Sequence, residues 1–373
     1  MDIEMKSARR GAVRAAPTAA FLWALTAIPV GLWQLLDPEA GPFADPLVDP
    51  TVPLPEALPG WVAPAALAVA GLAGLFLARA RPRLWPVTAA FAVVFGGLVP
   101  STSVIALIGY LAAFVLPAAL VTVPVLLARG RALKLAVAAG VVGVVAALAA
   151  AGPLAPSVIG EVLSGLGAGV ADLGLRPLAE LWSAVGGACW ALLTWNLVSD
   201  RLTGERAPAW AAPERAARWG RTASYAAFAC SLPYGLTRLT WFTPWPFLVP
   251  ADELDAEPAM RLWGLLLGFA CLGGGILCLG MTQRWGERWP YWVPVLRGRP
   301  VPPAVAIAPA AAMAYVFTIA SVPFVLLGIR AGQAELLPVF PFYVWGPALG
   351  AATLAYALRR GVLTGPRSAP DRP

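Results

Sequence analysis

Long apolar runs bounded by clusters of arginine constrain this chain more than any other feature. The runs are roughly 18 to 25 residues long, the length needed to cross a hydrocarbon core of about 30 Å as a helix. Of the 373 residues, 59% are hydrophobic and only 13% are charged. A soluble domain carries about a quarter charged residues, so this chain cannot coat a water-facing globule of its size. A β-barrel would show short alternating segments instead. The sequence therefore predicts an all-α fold, a polytopic transmembrane helix bundle.

About ten spans are predicted: 18–36, 60–78, 84–101, 104–128, 132–151, 178–198, 222–243, 260–282, 303–329 and 338–358. They form a single transmembrane domain over 1–373. A basic tail covers 1–17, an acidic, proline-rich loop 37–59, a second outer loop 152–177, and a basic tail 359–373. The connections alternate in charge. One side takes Lys6, Arg9, Arg10 and Arg14, then Arg79, Arg81 and Arg83, then Arg129, Arg131 and Lys134. The same side takes Arg201, Arg206, Arg215, Arg218 and Arg221, then Arg284, Arg288, Arg297 and Arg299, then Arg359, Arg360, Arg367 and Arg372. Only Arg176, Arg238, Arg261 and Arg330 fall on the other.

The positive-inside rule puts both termini in the cytoplasm, with the chain in a bacterial cytoplasmic (inner) membrane. Acids gather opposite: Asp37, Glu39, Asp45, Asp49 and Glu56 in one outer loop, Asp252, Glu253, Asp255 and Glu257 in another. The net charge of +7 averages two unlike faces, so it does not point to nucleic acid. The first span lacks an A-x-A site and reads as an uncleaved helix. Arginine far outnumbers lysine, as in a high-GC bacterial genome.

Two connections share the pattern G-E-R-x-P-x-W. One is Gly204-Glu205-Arg206-Ala207-Pro208-Ala209-Trp210, the other Gly286-Glu287-Arg288-Trp289-Pro290-Tyr291-Trp292. Arg83-Leu84-Trp85-Pro86 is a weaker third copy. The spacing suggests a repeated two-helix unit. Glycine would let the chain leave its helix in a left-handed conformation. Proline would suit the first turn of the next helix. Trp210, Trp285, Trp289 and Trp292 would anchor at the headgroup level. Two readings stay open: an interface-anchored hairpin, or a docking surface for a soluble partner.

Pro233-Tyr234-x-x-x-Arg238-x-x-Trp241 and Arg284-Trp285-Gly286-Glu287-x-x-Pro290-x-Trp292-x-Pro294 resemble motifs in uncharacterised multi-span membrane proteins of actinobacteria. The resemblance covers mainly 220–320. It implies location and threading, and it brings no catalytic residue.

Among candidate sites, Tyr234, Arg238, Trp241 and Trp245 recur at helical spacing, so a continuing helix would put them on one face. Pro244 and Pro246 argue that the helix ends before the last of them. An arginine beside aromatic rings can hold an anion. It can also be a side chain that snorkels to the interface. The first outer loop, 37–56, has five acids and no base; it could bind a divalent cation weakly, supply a catalytic carboxylate (Asp37, Glu39 or Asp45), or only solvate an extended linker. Residues 157–175 suggest an interfacial helix or a re-entrant segment. Cys189, Cys230, Cys271 and Cys278 all fall in predicted spans, as small buried apolar residues do. Gly264, Gly268, Gly273, Gly274, Gly275 and Gly280 suit close helix approach.

The chain has no histidine. That excludes His-ligated haem, H-E-x-x-H proteases and Ser-His-Asp triads. No Walker A motif is present, and apart from Arg238 the middles of the spans hold no obvious charge, which weakens ion-coupled pumping. No cofactor or metal is expected. The leading expectation is permease-like transport or handling of an amphipathic, lipid-like molecule, with the bilayer and a membrane or cytoplasmic subunit as partners. The alternatives are an enzyme acting on a lipid-linked substrate at the outer face, or an accessory subunit.

Overall fold

The structure is a computed structural model. It describes residues 2–44, 59–79, 81–101, 175–199, 207–256, 258–290 and 297–363, with isolated positions between 132 and 164. The described residues form nine long or short α-helices: α1 Asp2–Leu36, α2 Val62–Leu77, α3 Trp85–Val93, α4 Arg176–Ser199, α5 Pro213–Thr240, α6 Ala251–Ala256, α7 Pro258–Gly280, α8 Pro303–Arg330 and α9 Phe342–Arg359. α3 continues as a π-helical turn, Val94–Leu98. No strand occurs among the described residues; Arg288 and Pro300 form an isolated antiparallel bridge.

Three helical segments are long and apolar enough to cross a membrane: Ala15–Leu36, Arg176–Ser199 and Pro303–Arg330. Val62–Leu77, Pro82–Leu98 and Leu266–Gly280 are shorter apolar helices. At most 33% of each long segment's apolar window is buried, so most of its surface faces outward. Leu22, Leu32, Leu72, Phe76, Leu192, Leu277 and Ile329 are among the exposed large hydrophobic residues. Water would not tolerate so much exposed apolar helix. The helical architecture and these three segments mark a membrane protein.

Several helix starts follow from proline. Pro86, Pro213 and Pro303 sit at the first or second position of α3, α5 and α8, where a missing N–H costs nothing. α5 begins nine residues before its expected span, because Pro213 and Glu214 form a good N-terminus. Arg215, Arg218 and Arg221 are thereby helical and not in a loop. α1 likewise begins at Asp2, so the basic 2–17 stretch is helical. The expected spans 104–128 and 132–151 and the segment 157–175 lie outside the described residues, apart from isolated positions.

The helices pack in two groups. In the first, α1 runs antiparallel to α2: Gly31 lies against the Ala68 backbone and Gly71 against Ala24. α4 crosses α1 and α3, with Trp23, Trp182, Trp190, Phe91 and Phe95 filling the space. In the second group, α5 packs against α7 and α9, and α9 against α8. Its core holds Ala227, Cys230, Cys278, Ala314, Trp345, Leu349 and Tyr356. In a bilayer the apolar surroundings give helices little reason to associate, so small residues that admit close packing do the work. The groups meet where α8 crosses the π turn. Tyr315 Oη donates to the Ala184 carbonyl at 2.6 Å, beside Gly96 and Gly187. Neither glycine has room for a Cβ.

Candidate functional site

Near the C-terminal end of α5, Tyr234, Arg238 and Trp241 share one helix face, as their spacing requires. The Arg238 guanidinium carbon lies 4.0 Å from the Trp241 ring centroid and 4.9 Å from that of Tyr234. The neighbouring α7 makes room for this cluster. Gly264 lies under the Trp241 ring and Gly268 under the Arg238 stem, so side chains there would displace both. Tyr234 packs in turn on Phe340, at 5.3 Å between centroids. Trp241 is buried, and its Nε1 donates to the Phe247 carbonyl at 3.0 Å. Trp245 does not join the face. The helix ends at Thr240, and Trp245 is 81% exposed on the following turn.

The Arg238 side chain makes no ion pair or hydrogen bond among the described residues, whereas Arg261, in the first turn of α7, pairs with Asp255 at 2.7 Å. A guanidinium that meets rings and forms no hydrogen bond keeps its N–H donors for the oxygens of an anion. The geometry can therefore hold a phosphate or carboxylate beside aromatic surface.

The arginine-rich connection after α7 is a folded hairpin. Trp289 N–H donates to the Arg299 carbonyl at 3.0 Å, Gly298 N–H to Trp289 at 2.9 Å, and Val301 N–H to Glu287 at 2.9 Å. The end of α9 holds this hairpin in place. Arg359 pairs with Glu287 at 3.1 Å and donates to the Met281 carbonyl. Tyr356 Oη donates to the Gly286 carbonyl at 2.8 Å, and Arg360 reaches Tyr356 Oη and the Val301 carbonyl. Arg284, Arg288, Arg297 and Arg299 stay exposed.

Two expectations for this motif need correction. Gly286 does not adopt a left-handed conformation; that role falls to Gly298, at φ 69°. Gly286 is instead required by packing, because a Cβ would strike the Gly280 backbone. Neither Pro290 nor Pro208 is itself helical, and Pro208 precedes a short 3-10 turn, Ala209–Ala211. The two copies are both described only at Ala207–Pro208 and Trp289–Pro290, and none of these four residues is helical; the second copy is clamped by the α9 arginines.

The expected tryptophan anchors are partly visible. Trp210 is exposed and packs edge-on to Trp219, which donates to its carbonyl at 3.0 Å. Trp285 lies over Gly280, and Trp289 is half-buried in the hairpin. Trp292 lies outside the described residues, as do Gly204, Glu205 and Arg206.

Comparison with protein-family models, curated proteins and solved structures finds no match in any of the three. Any functional reading has to come from the geometry.

A polar cluster that the sequence reading passed over lies at the start of α4. Glu180 is 1% exposed. It pairs with Arg176 at 2.9 Å and accepts from the backbone N–H of Ser101 at 3.0 Å and from its hydroxyl. One turn further on, Ser183 Oγ donates to the Phe95 carbonyl of the π turn at 2.8 Å. The i,i+4 spacing of Arg176 and Glu180 at the head of an apolar run was a readable cue. Ser101, 79 positions away, was not.

The remaining candidates resolve simply. Asp37 accepts the Ala40 N–H at 3.0 Å and so caps its own turn, while Glu39 is exposed. Asp45 lies outside the described residues. All four cysteines are free thiols, and Cys271 and Cys278 point their sulfurs at the Ser231 and Gly274 carbonyls. Close approach occurs at Gly264, Gly268, Gly275 and Gly280, while Gly273 and Gly274 face open space.

Proposed function

We propose that this chain is a multi-pass protein of the bacterial cytoplasmic membrane, with about ten spans and both termini inside. Its work on this reading is permease-like transport or handling of an amphipathic, lipid-like molecule. The observation that carries the reading is Arg238: half-buried, stacked on Tyr234 and Trp241, and without an acidic partner among the described residues. It stands on α5 at the opposite end from Arg215, Arg218 and Arg221. A charge within apolar surroundings is expensive unless it meets a counter-charge, and here an anionic substrate would supply one. The resemblance to multi-span actinobacterial proteins agrees with the location and adds no activity.

The enzyme alternative draws less support, since Asp37 is engaged in its own turn and Glu39 is exposed. An accessory role draws its support from the exposed arginines of the two clamped arms, 284–290 and 297–301, a surface suited to a cytoplasmic partner. The decisive experiment is reconstitution. Proteoliposomes with a fluorescent anionic lipid in one leaflet should exchange it faster than protein-free vesicles. Equal rates across several anionic and neutral amphiphiles would count against transport. Reporter fusions at 284–299 should report a cytoplasmic position.

A further inference from the structure

We propose that Arg238 and the turn Phe242–Leu248 together form a binding site for the phosphate headgroup of a lipid in the leaflet at this end of α5. The inference rests on the reading of the chain as a membrane protein that handles amphipathic molecules, and it names the ligand chemistry and the place.

The turn itself is the new evidence. Phe242, Trp245, Phe247 and Leu248 are 51%, 81%, 55% and 45% exposed. Four large apolar side chains thus project from seven consecutive residues, and no charged residue occurs from Leu239 to Ala251. The turn is ordered. Phe247 N–H donates to Thr240 Oγ1 at 3.0 Å, Trp245 N–H to Thr243 Oγ1 at 3.2 Å, and Trp241 Nε1 to the Phe247 carbonyl. Leu248 holds φ at 71°, a left-handed conformation that a branched side chain resists. Such strain persists only where surrounding structure enforces it, and it clusters at functional positions.

In water this arrangement would expose apolar surface at the expense of backbone strain. At the membrane interface, tryptophan and phenylalanine on a rigid turn are at home. The turn is tied through Trp241 to the ring on which Arg238 stacks, so cation and apolar wedge form one unit. The acids that follow do not neutralise it. Asp255 pairs with Arg261, and Asp252 and Glu253 form no ion pair among the described residues. A free phosphate would use the arginine alone. A lipid phosphate uses both parts, its oxygens at the guanidinium edge and its chains along Phe242, Trp245 and Phe247.

The test uses full-length protein in a mild detergent, with bound lipid counted by native mass spectrometry. Three probes are titrated: phosphatidylglycerol, diacylglycerol with the same chains, and inorganic phosphate as competitor. The wild type should hold phosphatidylglycerol more tightly than diacylglycerol, and millimolar phosphate should not displace it. Arg238→Gln should weaken phosphatidylglycerol by about tenfold to a hundredfold, the scale of a charged hydrogen bond, and leave diacylglycerol unchanged. Arg238→Lys should restore part of the loss. The double variant Trp245→Ser with Phe247→Ser, which touches no core residue, should weaken both lipids.

Unchanged phosphatidylglycerol binding in Arg238→Gln overturns the site. An equal loss of both lipids in Arg238→Gln overturns it too, because the arginine would then be structural. Ready displacement by inorganic phosphate, or full lipid binding by the double variant, overturns the lipid assignment. The proteoliposome exchange assay separates this proposal from the reading beneath it. Exchange that survives with Arg238-independent binding removes the site and keeps the function. Arg238-dependent binding without exchange keeps the site and removes the function.

Discussion

In the α1–α4 group one carboxyl side chain is locked away: Glu180 is enclosed, and its oxygens meet Arg176 and Ser101. In the α5–α9 group, charge stays at the ends of the helices. Arg238 stacks on rings without an anion, and Arg359 and Arg360 reach out to clamp a hairpin. The difference teaches which charges are available. A fully partnered carboxylate specifies how helices dock and has nothing left for a ligand. A cation that meets only rings keeps its strongest interactions unused. Apolar surroundings raise the cost of an unpaired charge, and in the second group the half-buried Arg238 is such a charge.

The largest test of that contrast is Glu180→Ala. It removes the carboxylate that Arg176 pairs with and that accepts from Ser101, and should lower unfolding stability in detergent by about 3–5 kcal/mol. If it costs no more than a surface change, the two groups do not differ as described. Replacing Arg176 and Glu180 together by Leu should recover part of the loss, because it removes both charges but not the lost acceptor of Ser101.

Next comes Gly187→Val at the junction with the π turn. A side chain there meets the Gly96 backbone and Tyr315, so about 1–3 kcal/mol of overpacking is expected. Thermal unfolding would show a lowered midpoint, and an unchanged one would mean that the groups do not meet there. Arg359→Ala should cost about 1.5–3 kcal/mol through its lost charged hydrogen bonds. Hydrogen exchange should then rise in 283–290 and 297–301 and stay unchanged in α1–α4. The smallest effect belongs to Arg238→Gln, about 0.5–1 kcal/mol in unfolding measurements, the scale of its contacts with the rings, since the arginine makes no ion pair to lose. A large destabilisation would move Arg238 from the available class to the structural one.

Apolar run length made the described helices legible: the expected spans 60–78, 178–198, 260–282 and 303–329 match α2, α4, α7 and α8 to within a few residues. The Tyr234–Arg238–Trp241 face was legible too, because a helix fixes which neighbours meet. The G-E-R-x-P-x-W pattern misled about Gly286, whose place is set by the Gly280 backbone packed against it and not by a left-handed turn. Ser101 on Glu180 was hidden because it closes across 79 residues.

By itself, then, the sequence determined a helical chain with long apolar segments, charges sorted to their ends, and an arginine between two rings. Those properties depend on composition and on contacts within a few residues. Tertiary structure alone decided that Glu180 is enclosed, that Gly286 is needed for room and not for backbone freedom, and that α9 arginines hold the hairpin. Each depends on which backbone lies within a few ångströms, and in a bundle of small residues that is set by how closely whole helices approach.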